Sequence, residues 1–331
     1  MTDAAPVPVT ILTGFLGAGK TTLLSRLLAD PQGVRFGVLV NDFGEINIDA
    51  DLVAETAADR VSLANGCVCC SIRDDLVAAV RSLLDAPAPP RHLLIEASGV
   101  SRPLAIADAL DDEPRARLDG IFCVIDAAHF EGLGYADSEL AMDQAFGADL
   151  ALLNKADLVD AGTLERIDAT LRAAMPRLRT VPTRHGDVPR ALLFGPEPGP
   201  ARDRGTCRDA RCSDPSHRHD HAGGGDHHDH EHHAHDAEFE SWSWSAHGPL
   251  RHAEFRAAVA ALPPALLRAK GILDLDGRRA VFQLVGKRRE IAFEGGPPPS
   301  ESRLVAIARR GGLDAEAISA VLAPALNASV D

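Results

Sequence analysis

At 331 residues, 45% hydrophobic and 25% charged, the chain has a globular composition and enough length for about two domains. Its formal charge of −14 sets it against the phosphate backbone of a nucleic acid and in favour of cations. No apolar run approaches the roughly 18 residues of a membrane helix, and Met1-Thr-Asp-Ala-Ala-Pro6 lacks the basic and apolar regions of a signal peptide. The expected location is therefore cytoplasmic, with neither nucleic acid nor membrane as partner, and the six cysteines are expected as thiols or metal ligands.

The first element is an apolar run, Val7 to Leu12, that reads as a buried strand. Gly14-x4-Gly19-Lys20-Thr21 follows it, the spacing of a phosphate-binding P-loop, and Leu23, Leu24, Leu27 and Leu28 continue at helical spacing. Glycines let the backbone wrap a polyphosphate where a Cβ would clash, and the N–H groups at the helix start face the anion. Gly14, Gly17, Ala18, Gly19, Lys20, Thr21 and Thr22 are the expected cradle. Lys20 is expected on the β- and γ-phosphates and the Thr21 hydroxyl on Mg²⁺. The alternative is a glycine-rich turn that happens to match.

Gly37 to Val40 reads as a second strand leading into the polar segment Asn41 to Asp49, which is either a switch that senses the γ-phosphate or an ordinary acidic loop. Three of the six cysteines then fall together as Cys67, Cys69 and Cys70. Thiolates in this density suit Zn²⁺ or Cu⁺, with a fourth position left for a mobile ligand; buried core cysteines or a redox pair are the alternatives. Asp74 to Leu84 reads as a helix. His92 to Glu96 reads as a strand that delivers an acid at its end, followed by Ala97-Ser98-Gly99. Downstream of a P-loop, Glu96 is placed to hold Mg²⁺ through water, and the Gly99 N–H to touch the γ-phosphate.

Gly120 to Asp126 is a further strand, with Cys123 expected in the core. Leu150 to Asn154 is another, and Asn154-Lys155-x-Asp157 after it matches the guanine-reading motif. Asp157 is expected to accept from guanine N1–H and N2–H, Asn154 to serve the O6/N7 edge, and the Lys155 stem to cover the ring. Thr163 to Met175 reads as a helix. Nine of the fourteen histidines then lie between His217 and His235, interleaved with Asp. Such a tract does not fold alone; it is either a low-specificity metal collector, with Cys207 and Cys212 adding thiols, or an inert linker. Beyond it, strands are expected at Glu240–Ser245, Lys270–Leu275, Ala280–Val285 and Arg303–Ala308, and helices at Arg251–Leu262 and Leu313–Leu326. Together they make a small α+β domain of about ninety residues.

Assembled, Gly14 to Thr22, Asn41 to Glu45, Gly66-Cys-Val-Cys-Cys70, Glu96 to Gly99, Asn154 to Asp157, Arg268 to Leu273 and Val281 to Gly286 resemble the CobW-type GTPases. These are metal-trafficking proteins related to the nickel GTPases of urease and hydrogenase. The resemblance covers nearly the whole chain. It implies an α/β P-loop domain with a mostly parallel sheet flanked by helices (residues 1–200), a His/Asp-rich linker (201–238) and a carboxy-terminal α+β domain (239–331). It also implies slow hydrolysis of GTP with Mg²⁺, Zn²⁺ or Co²⁺ at Cys67, Cys69 and Cys70, and delivery of that metal to a client protein. Lys20, Thr21 and Glu96 would carry the hydrolysis. The family usually has Glu after the switch Asn, where this chain has Asp42; Glu45 is an additional candidate ligand. The alternatives are a metal buffer with a vestigial nucleotide site and a small-molecule phosphotransferase.

Overall fold

A computed structural model describes residues 5–40, 59–62, 71–196 and 238–326. Seven strands form the first sheet: β1 (Val7–Thr13), β2 (Phe36–Val40), β3 (Asp59–Ser62), β4 (His92–Glu96), β5 (Ala116–Asp126), β6 (Leu150–Asn154) and β7 (Arg179–Pro182). Their order is β3-β2-β4-β1-β5-β6-β7, and every pairing is parallel. A parallel sheet needs a cover on both faces, which is why its strands read as continuous apolar runs rather than alternating ones.

The pleat divides those runs. Val9, Ile11, Leu93, Ile95, Ile121, Cys123 and Leu153 face a layer made by α2 (Ser71–Leu84), α3 (Pro103–Leu110), α4 (Tyr135–Gly147) and α5 (Ala161–Ala174). Leu12, Leu94, Phe122, Val124 and Leu152 face α1 (Lys20–Ala29) and the short α6 (Arg190–Phe194). Asp160 caps α5 by accepting from the Thr163 N–H at 2.7 Å. Strand β3, helices α3, α4 and α6 and strand β7 were not expected from sequence. Strand β7 has only four residues and α6 five, too short to show a period.

The second sheet is antiparallel, ordered β11-β10-β9-β12-β8. It comprises β8 (Phe239–His247), β9 (Leu266–Leu275), β10 (Arg278–Val285), β11 (Arg288–Phe293) and β12 (Glu301–Arg309). Helices α7 (His252–Ala261) and α8 (Ala315–Leu322) complete a core around Phe255, Phe282 and Ile318. The last helix stops short of the expected Leu326, since Pro324 turns the chain into a 3₁₀ segment.

The two sheets share a seam. Leu267 and Val285 belong to the core on the α1 side of the first sheet. The fully buried Arg268 guanidinium donates to the Asp119 carboxylate on β5. Gly286 (φ 47°) passes so close to Asp149 that a Cβ would lie 2.0 Å from its carbonyl oxygen. Lys287 Nζ donates to the Phe146 carbonyl at 2.6 Å, and Arg288 Nε meets the Asp149 carboxylate at 3.2 Å. Among the described residues no helix is long and apolar enough to cross a membrane.

Candidate nucleotide site

Strand order reverses around β1, and in an open parallel sheet ligands bind beyond the carboxyl ends of the strands at such a point. Five strands deliver polar groups to this edge: the loop after β1, Glu96 on β4, Asp126 on β5, Asn154 on β6 and Thr183 after β7. The loop from Gly14 to Gly19 turns sharply into α1. At Gly14 (φ 135°) a Cβ would lie 2.1 Å from the Val124 carbonyl oxygen, so a side chain has no room. Gly19 (φ 101°) caps α1 in the left-handed region, and a Cβ there would lie 2.4 Å from Asn154 Nδ2. The loop therefore delivers the chain directly into the first turn of α1, with Lys20, Thr21 and Thr22 at the start of the helix where a macrodipole favours negative charge.

Lys20 is buried. Its Nζ donates to the carbonyls of Gly14 (2.8 Å) and Phe15 (3.2 Å), which keeps the ammonium under the arch of the loop. Thr21 Oγ1 donates to Glu96 Oε1 at 2.6 Å, joining residues 75 positions apart in sequence. A hydroxyl and a carboxylate this close beside a helix start are two hard oxygen donors, the chemistry that Mg²⁺ prefers.

Asn154 is also buried, and both ends of its amide are engaged. Nδ2 donates to the Ala18 carbonyl at 2.9 Å; Oδ1 accepts from the Gly186 N–H at 3.0 Å and Thr183 Oγ1 at 3.3 Å. The side chain expected on the guanine O6/N7 edge therefore ties the P-loop to the loop after β7. Lys155 adopts a left-handed backbone (φ 59°) and extends Nζ to Asp126 Oδ2 at 2.7 Å. Asp126 also accepts from His129 Nδ1 and the Ala128 N–H. Burial works to raise its carboxyl, but the Lys155 and His129 hydrogen bonds outweigh it and hold the group below the usual range. Asp157 presents a partly exposed carboxylate, 3.7 Å from His185 Nε2. Gly99 lies against the P-loop, where a Cβ would come within 2.9 Å of the Leu16 nitrogen.

A cavity of about 360 Å³ borders this edge, walled by Phe15, Leu16, Cys123, Asp126, Gln144 and Lys155 among others. The Cys123 thiol is buried as expected, and burial pushes it up to about 12, so it is an inert core group. Sequence reading missed Thr183, Gly186, Asp126 and Gln144. Of these only Asp126 left a signal, an acid ending an apolar strand as Glu96 does. Asn41 to Asp49 with Asp42 and Glu45, the cysteines Cys67, Cys69 and Cys70, and the tract from Cys207 and Cys212 through His235 lie outside the described residues. Among the described residues no group of three or more His, Cys, Asp or Glu could hold a metal ion.

A glycine arch closing on a helix start, with a Thr–Glu pair beside it at the carboxyl edge of a parallel sheet, defines a P-loop nucleotide-binding protein. The chain belongs to the CobW family: residues 8–182 match the CobW/HypB/UreG nucleotide-binding domain and residues 239–326 the cobalamin synthesis protein CobW carboxy-terminal domain. It is similar to the zinc chaperone CobW of Sinorhizobium sp, at 33% identity over 220 residues, 57% of this chain and 62% of that protein. It is also similar to the zinc chaperone YjiA of Escherichia coli, at 36% identity over 202 residues, 57% of this chain and 61% of that protein. The match thus spans less than two thirds of either relative. The crystal structure of Zn(II)-bound YjiA GTPase from E. coli aligns with 98% of this chain and 100% of that one, at 24% identity and a TM-score of 0.45.

Proposed function

We propose that this protein hydrolyses GTP and uses the nucleotide cycle to carry a transition metal, zinc first and cobalt second, to a client protein. The observation that carries the reading is the convergence of Lys20, Thr21, Glu96, Asn154 and Asp157 on one sheet edge. Family membership and the zinc-chaperone names of relatives support the metal half. GTP would lie with its phosphates on the P-loop N–H groups and its base against Asp157 and the Lys155 stem. The Asp157 carboxylate matches guanine N1–H and N2–H, a pair that adenine lacks. Lys20 would exchange its carbonyl contacts for phosphate oxygens.

Attack of water on the γ-phosphorus breaks the bond to the β–γ bridging oxygen, and GDP leaves with the electron pair. Fixed donors stabilise the charge that spreads over the oxygens. Thr21 and Glu96 would hold Mg²⁺, which neutralises phosphate charge when bound. The metal cargo is assigned to Cys67, Cys69 and Cys70 from their spacing. The segment Asn41 to Asp49, with Glu45, is assigned as the switch that links the nucleotide to this cluster. Hydrolysis then changes metal affinity, and by linkage metal changes GTP affinity by the same factor, about 5- to 150-fold.

GTP turnover measured with and without stoichiometric Zn²⁺, Co²⁺ or Ni²⁺, with metal content read after gel filtration, tests the reading. Zn²⁺ affinity, by competition with a chelating dye, is then compared in the GTP-analogue and GDP states. Equal affinities in the two states would reduce the cluster to a structural site and end the chaperone reading. Deleting His217 to His235 is expected to lower the number of weakly held metal ions while sparing turnover.

A further inference from the structure

Gln144 is a fully buried polar side chain on the inner face of α4, beside Ala141, Ala145 and Gly147. A small apolar residue there would avoid the cost of desolvating an amide. Nε2 donates to the Gly99 carbonyl at 2.9 Å and to the Ser101 carbonyl at 3.3 Å. Because both contacts are to acceptors, the amide orientation is settled. Oε1 has no hydrogen-bond partner among the described residues. The two donated bonds are therefore what the side chain contributes.

Both acceptors belong to the loop that follows Glu96. Its first residue is tied to β1 by the Ala97 N–H, which donates to the Leu12 carbonyl at 2.8 Å. Gly99 is pressed against Leu16 of the P-loop, so the loop has no freedom on that side. Gln144 closes the other side. The Gly99 N–H shares its peptide plane with the Ser98 carbonyl, which accepts from the Ser101 N–H at 2.9 Å. By holding the carbonyls of residues 99 and 101, Gln144 holds this turn, and with it that plane and the direction of the Gly99 N–H. Helix α4 is a firm support, since its end is held by Lys287 Nζ on the Phe146 carbonyl.

We propose that Gln144 is a positioning residue for GTP hydrolysis: from α4 it holds the Ala97–Ser101 loop so that the Gly99 N–H is aimed at the γ-phosphate. This rests on the reading of Gly99 as a γ-phosphate donor. Gln144→Leu removes both donated bonds at similar volume. Affinity for a non-hydrolysable GTP analogue and kcat are expected to fall about tenfold, the size of one lost hydrogen-bonded contact. GDP, which has no γ-phosphate, is expected to bind as in the wild type. Gln144→Glu sets a carboxylate against two carbonyls and is expected to be at least as impaired near pH 8. Once protonated it regains an O–H donor, and burial raises the pH at which this happens. Its kcat relative to the wild type is therefore expected to recover as pH falls, while the Leu variant's ratio stays flat.

Equal weakening of GDP and GTP analogue in both variants, or no recovery of the Glu variant at low pH, would mean that Gln144 only packs, and overturns the proposal. If the Leu variant does not fold, the pH series on the Glu variant decides. Gly99→Pro, which removes the N–H itself, separates the two layers of inference. If it keeps wild-type discrimination between GTP analogue and GDP, the Gly99 reading fails and the proposal with it. If Gly99→Pro loses the discrimination while both Gln144 variants keep it, the proposal fails alone.

Discussion

Strands β5 and β6 have carboxylates at or beside both ends, and the two ends use them differently. At the carboxyl end, Asp126 is shared among Lys155, His129 and a backbone N–H, and these hydrogen bonds hold it ionised below the usual carboxylate range in spite of burial. At the amino end, Asp149 lies deeper. Burial pushes its carboxyl up, and Arg288 with the Ile121 N–H only partly opposes this. Asp119, four residues into β5, is locked to the buried Arg268. One end keeps lysine, threonine and carboxylate groups on partners that, in the proposed GTP site, phosphate and Mg²⁺ would replace. The other spends its charges on a permanent seam. The same strands thus carry a site and a joint, separated by the length of the sheet.

The strongest way to break the seam is Arg268→Ala. It leaves the Asp119 carboxylate buried without its partner and is expected to cost about 3–5 kcal/mol in urea unfolding. Arg268→Met combined with Asp119→Leu removes both charges and is expected to recover most of that loss. Full destabilisation in the double variant would show that the loss comes from packing rather than from charge.

At the opposite edge, Lys20→Ala is expected to leave the melting temperature nearly unchanged and to lower kcat for GTP about 10²–10³-fold, the scale of one fixed charge-stabilising donor. Unchanged turnover would remove Lys20 from the reaction.

A third test returns to the amino ends of the strands. His92, on β4, is buried against Thr10 with Nε2 2.8 Å from Oγ1. Burial lowers its imidazole from 6.5 to about 4. The folded state therefore keeps it neutral where the unfolded chain takes up a proton. The stability is fully present above pH 6.5 and is lost as pH falls toward 4. At 1.4 kcal/mol per pH unit the gap is worth on the order of 3 kcal/mol. Urea unfolding of the wild type between pH 7.5 and 4 is expected to fall more steeply than that of His92→Gln. Parallel curves would show that His92 titrates alike in both states.

The smallest effect is at the base. Asp157→Ala is expected to weaken GTP by about 1.5–3 kcal/mol and to abolish the preference over ATP, read by competition with a fluorescent nucleotide. A wild type that binds both nucleotides equally would refute the guanine assignment.

Much of the carboxyl edge was legible because its parts are contiguous. The P-loop spacing, an acid ending an apolar strand and Asn154-Lys155-x-Asp157 are each complete within a few residues, so their place at the strand ends could be read locally. The role of Asn154 was not legible, because its partners Ala18 and Gly186 lie 136 and 32 positions away. Gln144 gave no signal, since its helix, Tyr135–Gly147, was itself not read from the sequence and a single glutamine carries no spacing. Arg268 and Gly286 were visible only as parts of a family pattern. Their purpose, a buried ion pair and a close passage over the Asp149 carbonyl, needs two sheets to exist first.

From sequence alone came the patterns that depend on neighbours along the chain: a glycine arch before a helix, a strand that ends in an acid, clustered cysteines, a histidine tract. Tertiary structure alone decided which of the scattered polar groups meet. Thr21 reaches Glu96 across 75 positions and Arg268 reaches Asp119 across 149. Such pairings follow from strand order and side-chain direction on a packed sheet, and no local spacing encodes them.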